Sequence, residues 1–192
     1  MRFLENDLET ILFKASKTKK GRSYVANRGG PLIHRPLHQQ VKIGQYGRCD
    51  LLDVHYDPWY IHTNVFELKK TAIKNDAVVQ LFRYIKGMQS FIKNTPRFNN
   101  LNHWVEGILI GRTIDVDSEF VKMMHYSEPL ISLYTYQYDM DGIRFKQLYK
   151  PFDDLNCEVP ESKKLRKIIV NPLTKYLKGA EKHFKESILI QN

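Results

Sequence analysis

Two acids and a lysine in the middle of the chain have types and spacing that suit metal-assisted chemistry. Asp50 begins one apolar segment, and Glu67 and Lys69 lie two residues apart in the next. Residues two apart in a strand share a face, and pairing of the two segments would bring Asp50 onto that face too. Two carboxylates there form an oxygen site for Mg²⁺, which Mn²⁺ can replace, and the Leu68 carbonyl offers a third oxygen. Lys69 would then orient or deprotonate water, or neutralise a phosphate.

A second group follows on a predicted helix over residues 75–94. Gln80, Arg83 and Tyr84 are three and four residues apart and therefore share a helix face. Gln80 can orient water or a phosphate, and Arg83 can bind a phosphate through two hydrogen bonds or simply pair with a surface acid. Tyr84 can stack on a base or sugar, or pack between helix and sheet.

Hydrophobic periodicity predicts the elements that position these residues. A helix covers residues 3–16, and the helix over 75–94 is capped by Asn75 or Asp76. Glycine and basic residues predict a mobile loop over 16–35. The predicted strands begin near residues 38, 51 and 64, and others cover 104–110, 130–138 and 142–149. A short helix is predicted at 118–125, and a basic helical tail at 161–190. The order predicts an α/β fold with one mixed sheet.

Length and composition restrict the function classes. The chain has 192 residues, a formal net charge of +9 and two cysteines. This length suits a single domain over 1–192, with a core over about 1–140 and a C-terminal extension over 141–192. The cysteine count excludes a disulfide scaffold and a four-cysteine zinc site. No apolar run could span a membrane, and an acidic N-terminus argues against a signal peptide, so a cytoplasmic location is expected.

The positive charge predicts a polyanionic partner such as DNA, with RNA as the alternative. The basic segments 17–28 and 163–185 either flank a cleft for a phosphate backbone or are only solvated faces. The histidines are predicted to be surface or turn residues. The candidate nucleic-acid contacts are Arg83, Tyr84, Lys17, Lys19, Lys20, Arg22, Arg48 and Lys70.

These motifs together resemble the PD-(D/E)XK nuclease superfamily, which has the restriction-endonuclease-like fold. The matching stretches are 47–52 with Asp50, 66–69 with Glu67 and Lys69, and 80–84 with the Gln-x-x-x-Tyr motif of the RecB-type branch. The resemblance covers residues 1–140 and implies a core of a helix, a three-stranded meander, a helix and a strand. Cys49 stands where the superfamily is named for a proline.

The resemblance implies an Mg²⁺-dependent nuclease. Asp50, Glu67 and the Leu68 carbonyl would bind the metal, Lys69 would serve the attacking water, and Gln80 and Tyr84 would support the site. The acid of the first helix would be Glu9, with Glu5 in reserve, as an outer ligand. The alternatives are a non-catalytic nucleic-acid-binding protein of the same fold and a subunit that a partner activates. A homodimer is a further option, since many relatives cut both strands as dimers.

Overall fold

The computed structural model describes residues 5–56, 60–98, 101–114 and 131–149. These residues all belong to the unit Met1–Phe152, so the single domain predicted for 1–192 extends beyond them. The helix predicted at 118–125 and the tail predicted at 161–190 also lie outside the described residues. Within those four ranges, no helix is both long and apolar enough to cross a membrane.

The described chain forms three helices and eight strands. The helices are α1 (Glu5–Ser16), α2 (Lys19–Asn27) and α3 (Asn75–Lys93), with short 3₁₀ turns at Gly44–Tyr46 and Pro96–Phe98. The strands are β1 (His38–Lys42), β2 (Arg48–Tyr56), β3 (Tyr60–Leu68), β4 (Ala72–Ile73), β5 (Asn102–Gly111), β6 (Thr113–Ile114), β7 (Ile131–Asp139) and β8 (Gly142–Tyr149).

Six of the strands form one mixed sheet in the order β1-β2-β3-β5-β7-β8. The first three strands make an antiparallel meander. The chain crosses through α3 between β3 and β5, which run parallel to each other. Strand β7 is parallel to β5, and β8 returns antiparallel at the edge. The predicted mixed sheet, and the predicted order of helix, meander, helix and strand, are confirmed.

Helices cover both faces of this sheet. On one face, Leu81 and Ile85 of α3 pack with Val65 and Leu109 in one buried cluster. On the other face, a second cluster joins α1 and α2 to the sheet through Leu12, Val25, Phe66 and Ile110. The alternation of Val65 and Phe66 between the two clusters is the side-chain period of a strand that is buried on both faces.

Three local predictions are wrong. Residues 16–35 are not a loop throughout, because Lys19–Asn27 forms α2, in which Val25 is fully buried. The Thr18 hydroxyl accepts a hydrogen bond from the Gly21 amide and so caps that helix. The N-cap of α3 is Lys74, without a side-chain cap, rather than Asn75 or Asp76. Strand β3 begins at Tyr60 rather than near residue 64, because its first half pairs with both β2 and β5.

Candidate active site

The paired strands β2 and β3 bring the first two predicted site residues together. Leu51 pairs with Phe66, so Asp50 lies next to the end of β3 that carries Glu67. Asp50 Oδ2 accepts a hydrogen bond of 2.7 Å from the Leu68 backbone amide. The carboxylate of Asp50 is therefore fixed to the strand that carries Glu67 and Lys69.

Glu67 is a buried acid with one satisfied oxygen. The residue is 2% exposed, and its Oε1 lies 2.5 Å from Lys69 Nζ. Its Oε2 is buried and has no hydrogen-bond partner in the described part of the chain. Lys69 continues past the end of β3 by donating its backbone amide to the Ile110 carbonyl. The predicted shared face of Glu67 and Lys69 is confirmed by their contact, and the intervening Leu68 is fully buried in the opposite cluster.

The pKa values of Asp50, Glu67 and Lys69 are shifted by burial and by the charges of their neighbours. Burial, together with the charge of the neighbouring Asp50, raises the pKa of Glu67 to about 7 despite the opposing effect of Lys69. Burial also raises the pKa of Asp50, although the Leu68 amide opposes this shift. Burial lowers the pKa of Lys69, but the hydrogen bond and charge of Glu67 outweigh it, so the net shift is upward. Lys69 is therefore a protonated cation at neutral pH.

Both acids considered on the first helix lie near this group. Glu5 Oε2 accepts a hydrogen bond of 3.0 Å from the Lys70 backbone amide, and its charge contributes to the raised pKa of Glu67. Glu9 is buried and acts on Asp50, since its charge is among the causes that raise the pKa of that acid. The four-residue spacing places Glu5 and Glu9 on one side of α1, so both acids face the site.

Two glutamines of β1 take part in the site, and sequence reasoning missed them. Gln39 Nε2 donates to Glu9 Oε1 at 3.2 Å. Gln40 Nε2 donates to Glu9 Oε2 at 3.0 Å and to Asp50 Oδ1 at 3.4 Å. Their neutral side chains in a short exposed strand carry no sequence signal, because their role depends on contacts with α1 and β2.

The helix α3 brings the Gln-x-x-x-Tyr motif to the same place. Gln80 Nε2 donates to the Tyr84 hydroxyl at 2.5 Å, and the charges of Glu67 and Asp50 contribute, after burial, to a raised pKa of Tyr84. The tyrosine is 3% exposed, which favours the packing alternative for its ring over base stacking. Arg83, in contrast, is exposed.

The donor set of the site fits Mg²⁺. Within the described ranges, no group of three or more His, Cys, Asp or Glu side chains is arranged to hold a metal ion. Mg²⁺ is commonly held by only one or two carboxylates, with water and substrate phosphate completing its shell. Asp50 and Glu67 supply two carboxylates, and the unpartnered Glu67 Oε2 is an oxygen that a hard cation would satisfy.

The basic residues predicted to contact nucleic acid differ in whether their side chains already make contacts within the protein. Lys17 Nζ lies 3.8 Å above the Phe13 ring, and Arg22 Nη1 donates to the Ser16 carbonyl at 2.7 Å. The arginine therefore helps to hold α2 against α1, whereas the lysine contact is local to the end of α1. Four further candidates are exposed: Lys19, Lys20, Arg48 and Lys70.

Three histidines lie together at the end of the β2–β3 hairpin that is opposite to Asp50 and Glu67. The ring centroids of His34 and His55 are 5.4 Å apart, and those of His34 and His62 are 5.9 Å apart. His62 Nε2 is 3.8 Å from Glu106 Oε2. Burial, with smaller contributions from His62 and His55, lowers the pKa of His34 despite the opposing charge of Asp53. The interpretation of all histidines as surface or turn residues is wrong for His55 and His62, because both lie within strands and have a buried ring nitrogen.

Comparison with known proteins gives limited similarity. No family model and no curated protein matches the chain. A crystal structure of a repair endonuclease from Pyrococcus abyssi is similar over 63% of this chain, with a TM-score of 0.40 and 18% sequence identity. The chain spans 43% of the length of that endonuclease. At this level of similarity, only the side chains of the site can support a function.

Proposed function

We propose that this chain is an Mg²⁺-dependent nuclease that hydrolyses phosphodiester bonds in DNA. The observation that carries the proposal is the buried Glu67 carboxylate, whose Oε2 has no partner in the described residues and whose neighbour is the acid Asp50. Without a cation, two adjacent acids in a partly buried site repel each other. A divalent metal held by both acids would offset this repulsion.

Asp50, Glu67 and the Leu68 carbonyl would hold the metal, with Glu9 or Glu5 as an outer acid. When bound, Mg²⁺ supplies Lewis-acid polarisation of the phosphate and stabilises charge that develops in the transition state. The resemblance noted from the sequence implies the same ligands, and the two first-helix acids next to Asp50 and Glu67 support it.

Lys69 would act as a cation on the phosphate or on the attacking water. Although burial lowers its pKa, the contact with Glu67 raises it overall in the metal-free protein, so Lys69 is a cation that can orient water and neutralise charge. The hydrogen bond from Gln80 to Tyr84 would hold the α3 side of the site in place, in line with the supporting role that the resemblance implies for both residues. Exposed Arg83, Arg48 and Lys70 are candidates for phosphate contacts.

The test is a cleavage assay on linear duplex, circular duplex and single-stranded DNA, with an RNA of the same sequence, in Mg²⁺, Mn²⁺ or EDTA. We expect products that require metal and that disappear in Glu67→Ala and Asp50→Ala. Folding of each variant is checked by circular dichroism. Salt-sensitive binding without any product, from a protein that also fails to bind Mn²⁺, would contradict the nuclease proposal and favour the non-catalytic alternative.

The mode of cleavage, the oligomeric state and the need for an activating partner each require a separate measurement. Cleavage of circular DNA distinguishes an endonuclease from an exonuclease. Sedimentation analysis tests the homodimer, and addition of a cell extract to an inactive preparation tests an activating partner. A cytoplasmic location stays a prediction.

A further inference from the structure

We propose that Gln40 is a positioning residue that holds Asp50 and Glu9 in a fixed relation at the metal site. This inference rests on the proposed function. Its basis is one side-chain amide in contact with both acids: Nε2 donates to Glu9 Oε2 at 3.0 Å and to Asp50 Oδ1 at 3.4 Å. An amide nitrogen carries two N–H donors, so it can bridge two carboxylates that would otherwise repel.

The position of Gln40 in the sheet explains how it reaches Asp50. Gln39 pairs with Leu51 and Val41 pairs with Cys49 across the β1–β2 ladder. Gln40 therefore lies opposite Asp50 on the neighbouring strand. From there its side-chain amide reaches Asp50 Oδ1 at 3.4 Å.

The backbone of Gln40 is strained in a way that suits a functional role. Its φ is 51°, and among the described residues it is the only non-glycine residue with a positive φ. A side chain at such a φ is unfavourable, and non-glycine residues held there cluster at functional sites. Glycine would occupy this backbone more easily, but it would lack the amide that contacts both acids.

The chemical type of residue 40 also matters. A glutamate would add a third negative charge between Glu9 and Asp50, whereas a lysine would neutralise the acids that attract the metal. Glutamine donates hydrogen bonds to carboxylates and adds no charge. Partners of this kind orient metal ligands, and their loss typically weakens metal binding by about 10- to 100-fold.

The test compares Mn²⁺ affinity, measured by electron paramagnetic resonance of free Mn²⁺ without DNA, with stability in urea. Gln40→Met removes the amide at similar volume, Gln40→Gly removes it and relieves the backbone, and Gln45→Met makes the same chemical change at an exposed turn. We expect the Mn²⁺ dissociation constant to rise about 10- to 100-fold in both Gln40 variants and to stay unchanged in Gln45→Met. The urea midpoint of Gln40→Gly should not fall, because glycine accepts a positive φ.

Cleavage gives a second readout. The rate of Gln40→Met should be low at limiting Mn²⁺ and approach the parental rate at saturating Mn²⁺, as a residue that orients a ligand predicts. A lower urea midpoint with unchanged Mn²⁺ affinity would make Gln40 merely structural and overturn the inference. If the parental protein binds Mn²⁺ and cleaves DNA, and the Gln40 variants bind Mn²⁺ with the same affinity, the role of Gln40 alone is overturned. A parental protein that neither binds Mn²⁺ nor cleaves would overturn the proposed function together with it.

Discussion

The Asp50 carboxylate is anchored to the backbone of Leu68, whose amide donates to Asp50 Oδ2 at 2.7 Å. Leu68 lies between Glu67 and Lys69, so this hydrogen bond links the Asp50 side chain on β2 to the backbone of the β3 segment that carries the other two residues. A backbone donor does not change rotamer, and hydrogen bonds to a carboxylate are stronger than neutral ones. The relative position of the two acids is therefore a property of the β2–β3 hairpin.

The stability of the metal-free protein should fall as pH rises through the titration of Glu67. The pKa of this acid rises from 4.5 to about 7 on folding. Between these two values the folded protein keeps a proton that the unfolded chain has released, so the free energy of unfolding falls with increasing pH. We expect a loss on the order of 1–3 kcal/mol across this window. Urea unfolding of the parental protein and of Glu67→Gln from pH 4.5 to 8, in EDTA, measures it.

Titrating groups that do not interact with Glu67 contribute equally to both proteins and cancel in the difference between the two curves. That difference should change across the window and stay constant above about pH 8. Parallel curves would show that the acid does not titrate with a raised pKa.

Removal of the Lys69 charge should slow cleavage without preventing DNA binding. The expected loss for Lys69→Met is about 10²- to 10³-fold in the single-turnover rate, since the cation acts where charge develops. The matched control is Lys86→Met on the exposed side of α3, which makes the same charge change and should keep the parental rate. A parental rate in Lys69→Met would refute the role assigned to this lysine.

The exposed lysines at the start of α2 should contribute to DNA affinity. Lys19 and Lys20 are solvated and adjacent, so replacing both with alanine should reduce the slope of log affinity against log salt by about 2. Fluorescence anisotropy at several salt concentrations measures this slope. The double alanine variant of Lys86 and Lys93, on α3, removes the same charge and should change the slope less. Equal slopes in the two variants would contradict a specific role for α2.

Gly47 should resist substitution because of Tyr84. Gly47 has φ +116°, and a Cβ there would lie 2.8 Å from Tyr84 Cε1. We expect Gly47→Ala to lower the free energy of unfolding by about 1–3 kcal/mol and to reduce cleavage through displacement of Tyr84. Gly44 also has a positive φ, but a Cβ there meets nothing within 4 Å. Gly44→Ala is the milder comparison, because φ +50° is a left-handed conformation that side chains tolerate better than φ 116° and ψ −153° at Gly47. An equal loss in both variants would exclude the Tyr84 contact.

The local sequence determined the elements and the main acids of the site. The apolar stripe of α3 and the two-residue spacing of Glu67 and Lys69 are periodic patterns, and periodicity follows directly from helix and strand geometry. The same reasoning failed at residues 16–35, because the composition resembles a loop whereas Thr18 capping and the burial of Val25 stabilise a helix. The sequence also did not indicate Lys74 as the N-cap of α3, since its side chain makes no capping hydrogen bond.

Only the tertiary structure decided which groups surround the acids. The sequence favoured Glu9 over Glu5, but the fold places both near the site, since α1 packs against the sheet. The bridge from Gln40 to Glu9 and Asp50 depends on three elements and on a left-handed backbone at one residue. Contacts between residues distant in sequence, and the burial that raises the pKa of Glu67, arise only when the strands and helices pack together, because no local pattern encodes them.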